Sequence, residues 1–460
     1  MARNSDIERL LRKVRSGLES WELEWLAGEL RAGGEDLLRR LIGKLDGAGK
    51  ADAASICEAL GLLGPDAKSA LPALEAIANR RGWLGRPREA GAARAAIIRI
   101  RGDEPEFILD ALRSGQDWLR PIALEAMADW PRETASRHAD EMAEALEPLL
   151  GATDLRLIGQ ALRALSHVGP GHARVEVMVA RKLAYPSASV MRAAAAALRD
   201  ICPRTPEIVA PLTGVLRMWR LDPAMGLEPG HRDGLPWPAD PRWMAESRRR
   251  VRSTAIWALG FVGAAAEGAV PVVLEHLASG AASLRQTAAT ALGGIGVASP
   301  EVVDALTLTC REDRTPAVCR AAAGALGRLR ARDAEVLAAL RHALADIGTR
   351  KSAAWALGQI RPPAAGCASA LVAAADSNRD RRRVVTRALV RMGPETVPAL
   401  IDALGSRERW PCVAAAEALA ELRAEEALPA LEKLVDDGRA DVRAATQQAV
   451  TRIGSQRRDR

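Results

Sequence analysis

One phrase returns along the chain at a spacing that composition alone would not produce. RSTAIWALGFVG at 252–263 recurs as RQTAATALGGIG at 285–296, RKSAAWALGQIR at 350–361, RRVVTRALVRMG at 382–393 and RAATQQAVTRIG at 443–454. Looser copies stand at 53–64 (AASICEALGLLG) and 319–330 (CRAAAGALGRLR). With the alanine of the Ala-Leu-like pair as a marker, units fall at Ala59, Ala96, Ala126, Ala164, Ala197, Ala258, Ala291, Ala325, Ala356, Ala388, Ala418 and Ala449. The intervals run from 30 to 38 residues, apart from one of 61 between Ala197 and Ala258. A unit this thin cannot bury its own apolar surface, so twelve in tandem are stable only when stacked. A solenoid is expected rather than a set of globular domains.

Within a unit the small or apolar slots fall three, six, seven and ten residues after the leading arginine, which is one face of a helix. Alanine in these slots lets a neighbouring helix approach closely. A second apolar-periodic segment follows, as in 268–279 (GAVPVVLEHLAS), 395–406 (ETVPALIDALGS) and 426–437 (EALPALEKLVDD). Pro271, Pro398 and Pro429 stand near the start of these segments, where a helix loses nothing by lacking an N–H donor. Composition agrees with this reading: 48% of the chain is apolar but only 3% aromatic, so the interior is built from small aliphatic residues at short range.

The Arg-x-x-Ala-x-x-Ala-Leu-Gly core resembles the HEAT-repeat family, in the short variety found in phycobilisome lyases. The resemblance covers roughly residues 50 to 460. It implies an all-α, right-handed α-solenoid of about twelve HEAT-like helix pairs. Residues 1–48 lack the motif and read as an N-terminal helical cap, with Ser5 and Glu8 forming a capping box and Trp21 and Trp25 on one helix face. Residues 49–460 form the solenoid, with a Pro/Trp-rich loop inserted at about 219–247. The final unit, at Ala449, has only its first helix.

Charge follows the repeat. Stretches around first helices are basic: 80–101 holds seven Arg against one Glu, and 379–391 six Arg against one Asp. Second helices lean acidic: 103–110 holds four acids and no base, and 424–437 five acids and one Lys. In HEAT-like arrays second helices line the concave wall, so the resemblance implies an acidic inner surface suited to a cationic or mixed-charge protein. A nucleic-acid duplex would need basic residues there to displace its counterions. The excess of arginine over lysine, and the net charge of +7, are attributed to a GC-rich coding bias. The leading arginines (120, 252, 285, 350, 382 and 443) are read as serving helix ends and inter-repeat packing.

The 61-residue interval supplies the second candidate, because long loops on rigid scaffolds often bind. Trp219, His231, Trp237 and Trp243 are the candidate partner-binding residues of the loop, beside Glu275, Asp402 and Glu432 on second helices. The competing reading of the loop is a flap whose Trp side chains seal the solenoid edge. His231 with the nearby Asp and Glu residues is too poor in His and Cys for a zinc site, and no metal or other cofactor is expected.

Catalytic motifs are missing. No His precedes a Glu, as iron binding in the HEAT-like deoxyhypusine hydroxylases requires; the iron–sulfur cysteine clusters of epoxyqueuosine reductases are absent; and HExxH, GxSxG and GxxxxGK[ST] do not occur. The GGIG at 293–296 reads as a turn ending a helix, and Cys310 and Cys319 as small buried hydrophobes. With no visible signal segment, no stretch fit for membrane insertion and scattered cysteines, the chain is expected to be soluble and cytoplasmic. The reading is a non-catalytic protein–protein interaction scaffold. The alternatives are a nucleic-acid-binding HEAT-like protein, such as one resembling alkylpurine DNA glycosylases, and an enzyme resembling bilin lyases.

Overall fold

The computed structural model describes residues 34–45, 47–79, 88–113, 119–185, 187–218, 241–360 and 366–457. Two compact units divide the chain, one running to Thr205 and the other starting at Pro206, apart from a few residues of the central loop. The described residues form helices and turns, with no strand among them.

In the first unit α1 (Gly34–Leu45) precedes the pair α2 (Lys50–Leu62) and α3 (Leu71–Ala78). Next come α4 (Arg88–Ile100) with α5 (Pro105–Arg113), then α6 (Arg120–Ala128), which reaches α8 (Ala139–Leu150) through the short α7 (Arg132–Arg137). The unit closes with α9 (Leu155–Ser166), α10 (Ala173–Arg181) and α11 (Ala188–Ile201). Leu37, Leu38, Leu41 and Leu45 of α1 join the buried cluster that holds Ile56 and Leu60 of α2. The rest of the expected N-terminal cap, including Trp21 and Trp25, lies outside the described residues.

The second unit begins with α12 (Val209–Met218). Five pairs then follow in order: α13 (Pro241–Val262) and α14 (Val270–Leu277), α15 (Ala282–Ile295) and α16 (Pro300–Glu312), α17 (Pro316–Leu329) and α18 (Ala334–Ala345), α19 (Arg350–Gln359) and α20 (Cys367–Ala373), α21 (Arg379–Met392) and α22 (Val397–Leu404). A sixth pair, α23 (Arg409–Leu422) and the short α24 (Leu428–Glu432), leads to α25 (Ala440–Arg457). All twelve marker alanines lie on first helices. Pro271, Pro398 and Pro429 occupy the first turn of their helices, as their spacing predicts.

Two layers result. In the second unit α13, α15, α17, α19, α21, α23 and α25 pack each on the next, and so do α14, α16, α18, α20, α22 and α24. By length and composition Arg248–Leu277 is apolar enough to cross a membrane. Here it is broken by Gly263, at φ +75°, and by non-helical Ala266, and α13 buries Ala255, Ile256, Ala258 and Leu259 in packing on α15.

Why Ala-Leu-Gly recurs is visible in the contact between successive first helices. A methyl group added at Gly327 would stand 2.6 Å from the Cα of Ala356, the marker of the next unit. At Gly293 the same methyl would stand 2.7 Å from the Cα of Ala325, and at Gly260 and Gly358 it would stand 2.8 Å from those of Ala291 and Ala388. Backbone thus meets backbone across the layer, glycine of one unit on alanine of the next. The end of the phrase has an equally local cause. In eight of the twelve units the chain turns left-handed five residues past the marker, at Gly64, Gly169, Cys202, Gly263, Gly296, Arg330, Gly393 and Arg423, and closes the first helix. The GGIG segment is corrected accordingly: Gly293, Gly294 and Ile295 are still helical, and only Gly296, at φ +79°, forms the cap.

Three outcomes follow for stability. Gly327→Ala forces its methyl onto Ala356 and is expected to destabilise by about 1–3 kcal/mol. Gly324→Ala, one turn away with nothing within 4 Å, is expected to stabilise by about 0.4–1 kcal/mol. Thermal unfolding midpoints that move in the same direction would refute the close-approach account. Arg330→Gly removes a side chain from a left-handed position (φ +54°) and should raise the midpoint, by up to about 1 kcal/mol of stability.

Candidate partner-binding surface

The leading arginine of the repeat turns inward on its own unit. Six residues before it, the chain leaves the preceding second helix, and the guanidinium donates to the carbonyl at that point. The bonds are Arg285 to Ser279 (2.9 Å), Arg350 to Leu344 (2.8 Å), Arg382 to Asp376 (3.3 Å) and Arg443 to Asp437 (2.7 Å). In two units a cysteine takes the arginine's place and makes the same bond, Cys319 to Asp313 and Cys412 to Ser406, both at 3.1 Å. The accepting residue caps its own turn: the side chains of Ser279, Asp313, Asp376, Ser406 and Asp437 each accept from the N–H two residues on.

The same groups tie one unit to the next. Arg285 grips Asp313 at 2.6 Å and Arg350 reaches Asp376 at 2.8 Å, both largely shielded from solvent. Arg409 pairs with Asp441 at 2.6 Å in a more open setting. Hydrogen bonding from Arg285 holds the Asp313 carboxyl below the usual carboxylate range. Burial pushes Asp376 upward, but Arg381, the Asn378 N–H and Arg350 together leave it lowered. Asp437, bonded by the side chain and N–H of Arg439, falls to about 2. Burial drives the Cys310 thiol up to about 12 and raises Cys319, so neither is a thiolate near neutral pH and both behave as core residues.

The charges of the second unit, these arginines included, also sort by layer. First helices α13 to α25 carry twenty Arg or Lys against five acids. Second helices α12 to α24, with their 3-10 lead-ins, carry twelve acids against three Arg. On the second-helix layer Glu275 of α14, Glu301 and Asp304 of α16, Glu335 of α18, Asp402 of α22 and Glu432 of α24 are all exposed. Glu301, Asp304, Glu335, Asp402 and Glu432 enter no ion pair among the described residues. The structure therefore places the sequence candidates Glu275, Asp402 and Glu432 on one layer. Trp219, His231 and Trp237 fall outside the described residues, and Trp243 lies in the first turns of α13 with its side chain undescribed.

The first unit offers different features. A cleft of about 360 Å³ lies among the ends of α2, α4 and α6, lined by Arg99, Asp103, Glu125, Asp129 and Trp130 among others. Arg99 approaches Glu125 (3.9 Å), Asp103 is paired with Lys68 (2.9 Å), and the Trp130 indole donates to the Gly102 carbonyl (2.7 Å). The fully buried carboxylate of Glu176 accepts from the N–H groups of Gly171, Arg204 and Thr205 and from the Thr205 hydroxyl, so it staples two loops. Sequence reasoning passed over Glu176 because its donors are backbone groups of remote loops.

Layers of paired helices repeating every 30 or so residues define an α-solenoid of the helical-hairpin class. A family model for HEAT repeats matches residues 241–315, 271–358 and 368–451, so HEAT repeats are found at these places in the chain. Phycocyanobilin lyase subunit alpha of Synechococcus elongatus is 37% identical over 103 residues, which is 20% of this chain. The matched region spans 38% of the length of that curated relative. Among solved structures an importin beta aligns with 98% of this chain and 62% of its own at 16% identity and a TM-score of 0.47. A Kap121p mutant aligns with 94% of this chain and 53% of its own at 13% identity and 0.48. An engineered protein aligns with 76% of this chain and 98% of its own at 19% identity and 0.43.

The three lowered carboxylates make a pH prediction. Each is stabilising while ionised, so its contribution is complete above the ordinary aspartate value of about 4. It is lost as pH falls below that value, toward about 2 for Asp437. The unfolding midpoint should drop across this window, and Asp313→Asn should lower it at neutral pH while flattening part of the acid slope. A midpoint level down to the acid end would show that these pairs do not stabilise the fold.

Proposed function

We propose that the protein is a non-catalytic, cytoplasmic interaction scaffold whose second-helix layer receives a cationic or mixed-charge protein. The observation that carries this reading is the set of exposed acids on second helices α16, α18, α22 and α24, interrupted at α20, which has none; Glu301, Asp304, Glu335, Asp402 and Glu432 are unpaired among the described residues. Carboxylates held apart on a rigid layer raise the local concentration of a basic partner and fix its register more than they add affinity. The central segment before α13, with Trp219, His231 and Trp237, would extend this surface; the loop expected at 219–247 is shorter than its sequence suggests, since Trp243 already lies on α13, which starts at Pro241.

The test is affinity capture from the source cell followed by binding measurements on the captured protein. Intact protein is compared with Asp402→Lys/Glu432→Lys and with a version lacking residues 222–243. Charge reversal is expected to weaken binding at least about tenfold, chiefly by slowing association, with the difference shrinking at high salt. Binding unchanged by the reversal would remove the acidic layer from the interface, and binding unchanged by the deletion would remove the loop.

The partial likeness to a phycocyanobilin lyase subunit supports a second reading, an enzyme that handles an open-chain tetrapyrrole. Incubation with phycocyanobilin decides it: a stable coloured complex or transfer of the pigment to an acceptor protein favours the enzyme, and an unchanged spectrum favours the scaffold.

A further inference from the structure

On the opposite layer of the second unit, three neighbouring first helices form a grid. The marker alanines Ala325, Ala356 and Ala388 set α17, α19 and α21 in common register, and α19 packs against both of the others. Five residues before the markers stand Arg320, Lys351 and Arg383, all exposed. One residue before them stand Gly324, Trp355 and Arg387, and three after them Arg328, Gln359 and Arg391. Six cations thus surround one indole, and the grid contains no acid. Rows are about 6 Å apart along the helices and columns about 8–10 Å apart between axes.

Two features separate this surface from a solvated helix face. First, Lys351, Arg383, Arg387 and Arg391 enter no ion pair or hydrogen bond among the described residues, unlike the leading arginines beside them. Arg379, Arg383, Arg387 and Arg391 follow one another at four-residue steps on α21, a like-charge stripe that costs helix stability and meets no ion-pair partner among the described residues. Second, Trp355 lies over Gly327 of α17, its ring 3.0 Å from where a methyl would be, yet remains 39% exposed at the centre of the cations. The patch has an edge: on α23 the corresponding positions are buried Val413 and the acids Glu417 and Glu421.

We infer that this face binds single-stranded nucleic acid, with arginines on successive phosphates and one unpaired base stacked on Trp355. Arginine forks match phosphate oxygens in pairs, and an exposed indole gives a base a stacking platform worth a large share of single-strand affinity. A duplex keeps its bases stacked on one another and cannot use the indole. An acidic peptide could meet the cations but has no planar base for the ring. The site lies on first helices and is separate from the protein-binding layer proposed above, so either assignment can fail alone.

The experiment is fluorescence anisotropy of an end-labelled thymidine oligonucleotide with the full chain, from low to moderate salt. Binding is expected, with a log–log salt slope that loses about 0.7 for each phosphate contact removed by Arg383→Ala or Arg387→Ala. Trp355→Ala should weaken binding at least about fivefold while Trp355→Phe keeps most of it, and the matching duplex should compete poorly. Circular dichroism and unfolding midpoints of each variant establish that it is folded. The inference is overturned if the oligonucleotide fails to bind at about 50 mM salt, or if Trp355→Ala binds as well as the original. It is overturned equally if duplex or polyglutamate displaces the strand at matched charge, the last pointing to an acidic protein segment.

Discussion

Everything in the second unit rests on how closely one first helix approaches the next. Gly260, Gly293, Gly327 and Gly358 leave out a methyl where the following unit presents the Cα of Ala291, Ala325, Ala356 or Ala388. That contact replaces the large aromatic interlocks of an ordinary core, which explains how a chain with 3% aromatic residues holds together. The close contact fixes spacing and register in the first-helix layer; the second-helix layer follows because each helix is tied by a short turn to its partner. The arginine or cysteine six residues before the marker fastens that turn, and the Arg–Asp pairs pass the register to the next unit.

Much of this could be read from the sequence. All twelve marker alanines fall on first helices because Ala-Leu at helical spacing, followed by a left-handed cap, is a local code. The leading arginines were assigned to helix ends and packing, and their bonds to turn carbonyls bear this out at 285, 350, 382 and 443. Less legible was the turn residue twelve positions before the marker, which is Ser or Asp in five units and Leu344 in the sixth and so does not stand out as a motif. Cys319 and Cys412 were equally hidden, since only the register shows that they take an arginine's place.

The candidate surfaces divide in the same way. Glu275, Asp402 and Glu432 share a layer because second helices stack in order, which the repeat already implied. The grid around Trp355 could not be read that way: its cations come from three units, and an arginine-rich composition offers a uniform explanation that erases their distinction. Only the bonds separate them, since Arg350 and Arg382 are spent on turns while Arg383 and Arg387 are not. The tryptophans of the central loop belong to neither case, because no repeat dictates their neighbours.

At α21 and α23 the slot held by glycine on α13, α15, α17 and α19 is filled by Val390 and Ala420. A branched or methyl side chain there acts as a shim, so the rungs beyond α21 are spaced by a different rule from those before it. A tandem array whose pitch is written by one residue per rung can change its bend over evolutionary time by point substitution, without moving any loop or altering the face it offers to a ligand.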